Sequence, residues 1–156
     1  MDKISEHISY IEATRSNTAL RRGIDNIPDV EEIENMKTIA TKVFEPLRKW
    51  VGGPVKINSF YRSPELNVAI GGSTKSQHCH GQAIDIDDTY GGKFTNLNAE
   101  IFKYVRYHLQ FDQMIWEFGN DDNPAWVHIS YVNEEDNRQR CLKAYKKDGK
   151  TKYKVI

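Results

Sequence analysis

The sequence predicts a fold of mixed α and β class, and three features predict it. Apolar residues recur at three- and four-residue spacing through the first third of the chain, as in helices that pack by one face. From residue 54 onward short segments alternate apolar and polar side chains between turn-forming residues, as half-buried strands do. Near the end Asp148-Gly149 separates two alternating segments, the signal of a β-hairpin.

At 156 residues and 18.1 kDa the chain has the size of one domain with a substantial core. Its 22 basic and 22 acidic residues cancel, so no global charge draws it to nucleic acid or to an anionic membrane. No apolar run approaches the ~20 residues that span a bilayer. The start, Met1 to His7, is polar and acidic where a signal peptide needs an apolar core, which predicts synthesis in the cytoplasm. Cys79 and Cys141 form no CxxC pair and are too few for a disulfide framework, so reduced thiols are expected. A monomer without internal repeats is expected.

In order along the chain, Ile8, Ile11, Ala13, Ala19 and Leu20 predict a helical segment over residues 8–22, interrupted near Ser16-Asn17, with a turn over residues 23–28. Asp29 caps the next helix with Glu32 at its third position. Ile33, Met36, Ala40, Val43, Phe44, Leu47 and Val51 form its buried stripe until Gly52-Gly53 stops it. Residues 54–60 read as a strand, and Gly71-Gly72-Ser73 as a loop. After the turn Tyr90-Gly91-Gly92, Asn98 is placed to cap a helix that buries Ile101, Phe102, Val105 and Leu109. Strands over 111–118 and 125–132 form an antiparallel hairpin across the loop 119–124. His7 and His108 fall outside any buried stripe and read as solvated.

The chemistry concentrates in Ser76-Gln77-His78-Cys79-His80-Gly81-Gln82-Ala83-Ile84-Asp85-Ile86-Asp87. On a helix, residues seven apart lie two turns, about 10 Å, from one another, too far to share one ion. His78 and Asp85 therefore meet only if the chain turns near Gly81 and Asp85 returns on a strand. Alternation places Ala83, Asp85 and Asp87 on one face and Ile84 and Ile86 on the other. In the strand around His128, Val127, Ile129 and Tyr131 alternate with Trp126, His128 and Ser130, so His128 shares the polar side as third candidate ligand. Two imidazoles and a carboxylate are the donor set of a catalytic zinc site. His80 is the rival ligand, taken as a residue of the cleft or of the shell around the ligands. Arg62 either steadies a developing oxyanion or a carboxylate, or pairs with Glu65 on the surface, and spacing favours neither. If Trp116 pairs with Ile129, Glu117 lies directly across from His128.

These residues carry a resemblance. Ser76-x-His78-x-x-Gly81-x-Ala83-x-Asp85 matches the signature of the zinc D-Ala-D-Ala carboxypeptidase and L-alanyl-D-glutamate peptidase family, the LAS metallopeptidases, and Trp126-x-His128 resembles its third-ligand motif. Ser59-x-Tyr61-Arg62-Ser63-Pro64-x-x-Asn67 and Gly71-Gly72-Ser73 are similar to the segment before the signature, so the likeness covers residues 55–130. The resemblance implies an α+β domain with a central antiparallel sheet, helices packed on one face and, in this chain, a basic C-terminal β-hairpin. It implies one zinc per chain, held by His78, Asp85 and His128, and hydrolysis of peptide bonds in peptidoglycan stem peptides, by a D-Ala-D-Ala carboxypeptidase or an L-Ala-D-Glu or cross-bridge endopeptidase. Arg62 carries over as the residue that polarises the scissile carbonyl, and Ser76 as a substrate contact. Some members carry an acid or a histidine two or three residues before the third ligand, where this chain has Trp126 and Ala125. The general base then falls to Glu117, with Asp121 and Asp122 behind it.

The expected layout is one peptidase domain: a helical cover over residues 1–53, a catalytic core over 54–132 and a basic tail over 133–156. Residues 138–156 hold eight basic residues and one acidic, leaving fourteen and twenty-one for the rest. Solvated lysines that protect an edge strand are the reading preferred for this tail, ahead of contact with an anionic polymer. Without a signal peptide or a wall-binding repeat the chain resembles phage endolysins, which are made in the cytoplasm and act on the wall after release. The alternative is a non-catalytic zinc-binding module of the same fold.

Overall fold

The computed structural model describes residues 1–88 and 97–156; the expected turn at Tyr90-Gly91-Gly92 lies outside the described residues. The architecture is α+β. A ribbon of β1 (Lys3–Ser5) and β2 (Ile8–Ser9) leads into α1 (Tyr10–Thr14) and α2 (Asn17–Arg22). Ser9 caps α1 and Ser16 caps α2, so the helical interruption falls where it is expected, but Ile8, expected in the helix, is buried with Ile4 in the small ribbon.

Asp29 and Glu32 form the reciprocal capping box that starts α3 (Val30–Ile39). The helix continues through a widened π turn at Ala40–Phe44 into α4 (Glu45–Val51), and Gly52 ends it in the left-handed conformation. The widening precedes Pro46, which has no N–H to give to the helical ladder. After β3 (Ile57–Ser59) and α5 (Pro64–Ala69), a 3₁₀ turn (Gln77–His80) leads to β4 (Ala83–Ile86). Then α6 (Leu97–His108) precedes β5 (Gln113–Glu117), β6 (Trp126–Ser130), β7 (Arg140–Lys147) and β8 (Lys150–Val155).

Asn98 does not cap α6. It is buried within the first described turn of the helix, where its Oδ1 accepts from the Asp88 N–H while its Nδ2 donates to Asp87 Oδ1 and to the carbonyls of Pro124 and Ala125. The side chain ties the end of β4 to the approach to β6.

The six strands lie in the order β3-β4-β6-β5-β7-β8. The sheet is antiparallel except at one joint, where β7 runs parallel to β5, so it is mixed rather than wholly antiparallel. After β6 the chain crosses residues 131–139 and re-enters beside the free edge of β5. Arg138 fastens that crossing to buried Asp112 through two bonds of 2.9 Å. The tail hairpin turns at Asp148 and Gly149, both with positive φ, as a two-residue turn of this type requires.

One face of the sheet presents Ile84, Ile86, Met114, Trp116, Val127 and Ile129. They share one core with Met36, Ile39, Val43, Phe44 and Leu47 from the long helix and Ile101, Phe102 and Val105 from α6. The other face of the central strands carries polar side chains, with a small apolar cluster of Ile115, Leu142 and Ala144 toward the hairpin. Among the described residues no helix is long and apolar enough to cross a membrane.

Gly81 closes the 3₁₀ turn with φ +70°, and an added Cβ would lie 2.5 Å from the Glu32 carbonyl and 2.7 Å from Met36 Cγ. Backbone conformation and close approach of α3 both demand glycine here. Gly81→Ala is expected to cost about 2–4 kcal/mol from left-handed strain plus overpacking. At this chain length that lowers Tm by on the order of 10 °C. Thermal unfolding checks it, and an unchanged Tm would show that α3 does not clamp the turn.

Candidate metal centre

Backbone geometry brings His78, Asp85 and His128 together. Ser76 caps the 3₁₀ turn by accepting the His78 N–H at 3.2 Å, and His78 Nδ1 lies 2.7 Å from the Phe60 carbonyl at the end of β3. A carbonyl only accepts, so Nδ1 carries the proton and Nε2 presents its lone pair. Asp85 on β4 and His128 on β6 are direct partners in the strand register, and His128 Nδ1 donates to Asp85 Oδ1 at 2.8 Å. One ligand atom from each of the three residues lies within 4.8 Å of the others.

Nε2 of buried His78 lies 3.2 Å from Asp85 Oδ2, but outside hydrogen-bonding geometry. A buried polar atom left unpaired costs about 1–3 kcal/mol, so a group with this one open lone pair suits a metal ion. Burial also lowers the pKa of His78, against the pull of Asp85, which keeps the imidazole neutral and able to coordinate. At Asp85 burial opposes the charge, yet the N–H that His128 donates to Oδ1 helps to hold its carboxyl well below the usual range. The neutral histidine and ionised aspartate are the protonation states that metal binding needs.

Arg62 turns inward instead of pairing with Glu65. Its Nη2 is 3.7 Å from Asp85 Oδ2, and its Nη1 donates to Asn67 Oδ1 at 3.2 Å. Asn67 in turn donates to the Ser73 carbonyl at 2.7 Å, linking Arg62 to the Gly71–Ser73 loop. Arg62 Nε is buried and unpaired. Burial lowers the guanidinium pKa while Asp85 and Glu117 pull it up; the group remains a cation.

Glu117 reaches the site by a different register from the expected one. Ile115 stands opposite His128, and Glu117 opposite Trp126. The loop closes two residues tighter because Phe118 and Gly119 both adopt positive φ and the Asn120 side chain accepts the N–H groups of Asp122 and Asn123. A slip of two preserves the face, so Glu117 still points to the cleft. Burial pushes its carboxyl up to about 7, with His128 acting against that shift and Asp85 with it.

The rivals lie elsewhere. His80 is exposed outside the cleft, on the side of the turn where Asn35 bonds its carbonyl. Asp121 pairs with Lys143 and Asp122 is exposed, and neither lines the cleft. His7 is not simply solvated, since its Nδ1 is 2.5 Å from Glu45 Oε1.

The cleft holds about 640 Å³ and is lined by Arg62, Ser76, His78, Asp85, Glu117 and His128, among others. A family model described as Peptidase M15 matches residues 6–130. The chain belongs to the Peptidase M15 family. No curated protein matches it. As a member of Peptidase M15 the chain is a peptidase of a metallopeptidase family, which agrees with the resemblance read from its signature and with the ligand-like group just described. The Peptidase M15 match includes all six of these cleft residues and ends before the tail hairpin.

That hairpin supplies lining residues that sequence reasoning left on a solvated edge. Leu142, Lys146, Thr151 and Tyr153 form a wall of the cleft, facing Phe118 and Trp126. The signal was present: with Asp148-Gly149 as the turn, alternation puts Leu142, Ala144 and Lys146 on one face, but the parallel joint that aims this face at the cleft is not a local feature.

In the metal-free protein the Glu117 carboxyl is expected to titrate near pH 7, above an ordinary glutamate at about 4.3, and a divalent cation should move that titration lower by favouring the anion. Carbon-detected NMR of the side-chain carboxyl measures both. An ordinary midpoint without metal would place Glu117 in solvent rather than in the cleft wall.

Proposed function

We propose that the chain is a zinc-dependent peptidase acting on peptidoglycan stem peptides, with His78, Asp85 and His128 holding one zinc. The observation that carries this is the open lone pair of buried His78 beside the Asp85–His128 pair, at the floor of a cleft that also contains a buried cation and a buried carboxylate of raised pKa. Two imidazoles and one carboxylate suit zinc and leave a position for water or substrate. A zinc ion there supplies Lewis acidity, polarising a carbonyl and making water more acidic.

The protein's own groups do the rest. Glu117, ionised, accepts a proton from the attacking water, and its pKa near neutrality suits both that step and return of the proton to the leaving amine as the C–N bond breaks. Arg62 faces the same cleft from the Asp85 side and offers a fixed guanidinium to the oxygen on which negative charge develops. Asn67 and the Ser73 carbonyl hold that arginine in place. Ser76 uses its oxygen lone pair on the His78 N–H, and its hydroxyl proton is left to donate to a substrate carbonyl or carboxylate. The peptidoglycan substrate is supported by the signature residues and by family membership. Layout as one peptidase domain, with the helices covering the sheet and the tail walling the cleft, belongs to the same reading, as does action on the wall after release.

Digestion of purified peptidoglycan, with new termini identified by mass spectrometry, tests the activity. Glu117→Gln should retain zinc and fold while lowering turnover by about two to four orders of magnitude, and Arg62→Ala should lower kcat by on the order of a hundredfold with zinc retained. Loss of zinc in Glu117→Gln would make Glu117 a support for the ligands, and a change confined to KM in Arg62→Ala would make Arg62 an anchor. A zinc-loaded wild type that cleaves no peptidoglycan peptide bond would favour a non-catalytic module.

A further inference from the structure

The hairpin of β7 and β8 lies beyond the Peptidase M15 match, yet it walls the cleft. Its two faces differ in kind. Lys143 points away from the cleft and pairs with Asp121, and Lys152 and Lys154 share that side through their pairing with Tyr145 and Lys143. On the cleft side are Leu142, Ala144 and Lys146 of β7, with Thr151 and Tyr153 of β8 paired to Lys146 and Ala144. Lys146 is thus the one basic residue among the hairpin's cleft-lining side chains. Among the described residues it makes no salt bridge; its Nζ donates to Thr151 Oγ1 at 2.9 Å and lies 5.5 Å from the centre of the Phe118 ring.

Phe118 is itself held in an unusual state. Its φ of +55° is rare for a bulky residue and costs on the order of 1–2 kcal/mol, so its neighbours must fix it. Its N–H bonds to the Ala144 carbonyl of the hairpin at 3.2 Å, and its ring lies 5.6 Å from that of Trp126. Phe118, Trp126 and Tyr153 therefore line the cleft beside a cation that has two donors to spare.

We propose that Lys146 and Tyr153 form a specificity subsite for an acidic peptide: Lys146 pairs with a substrate carboxylate near the scissile bond, and Tyr153 with Phe118 and Trp126 covers the adjoining apolar part of that residue. Arg62, the cation of the cleft floor, is held by Asp85 and Asn67, whereas Lys146 stands on the hairpin wall beside the aromatic rings and is open to a substrate carboxylate. This inference rests on the peptidase reading, because the acidic peptide it names is the stem peptide.

The test is calorimetric binding to the zinc-loaded Glu117→Gln protein, which holds substrate without rapid turnover. The probes are a soluble disaccharide-tetrapeptide with free carboxylates and the same compound with its carboxylates amidated. Lys146→Met in that background should weaken binding of the free form by about tenfold, the scale of a lost charge-assisted bond. Amidation should weaken binding to the parent similarly and leave little further loss from Lys146→Met. Tyr153→Ala should weaken both probes, while Lys143→Met on the opposite face changes neither. Zinc content and Tm should remain at parental values in Lys146→Met. Equal binding by the parent and Lys146→Met would overturn this inference and leave the peptidase reading standing. Failure of the parent to bind either probe would overturn both.

Discussion

The pairing of β4 with β6 is the constraint on which the site depends. It sets Asp85 directly opposite His128, so two side chains of the group that could hold a metal meet by backbone register rather than by adjustment of flexible loops. The neighbouring pairs, Ile84 with Ile129 and Ile86 with Val127, are buried in the core below. A one-residue slip would put aspartate and histidine into that core and the apolar residues into the cleft, at a cost the sheet cannot meet. Hydrophobic burial on one face therefore fixes the chemistry on the other.

His78 joins this pair by a second device. The 3₁₀ turn is capped by Ser76, pinned by the Phe60 carbonyl, and pressed against α3 at Gly81, where no side chain fits. Together they aim one neutral imidazole lone pair at a carboxylate, inside a wall where burial raises Glu117 and keeps Arg62 close. A fold that sought only stability would not bury an unpaired nitrogen beside two ionisable groups; such conflicts mark functional sites.

How much of this was legible in the sequence depended on how local each cause is. The capping box at Asp29, the stop at Gly52 and the tail turn at Asp148-Gly149 are written in adjacent residues, and all stand in the structure. The convergence of His78, Asp85 and His128 was legible because period-two alternation put Asp85 and His128 on the polar face of their strands. The register of β5 was not, since it turned on left-handed Phe118 and on Asn120 closing its loop. Asn98 looked like a helix cap, but the helix begins before it and its amide is used by β4 and the approach to β6. The place of the tail beside the cleft followed from a parallel joint between β5 and β7, which no hairpin rule foretells.

X-ray absorption at the zinc edge of the metal-loaded protein tests the account most directly, because it reads the donor atoms themselves. The metal should show a coordination shell of nitrogen and oxygen only, with the multiple-scattering signature of two imidazoles, reduced to one in His128→Ala and unchanged in His80→Ala. A sulfur in the shell, which would bring in Cys79, or two imidazoles that survive loss of His128, would contradict it.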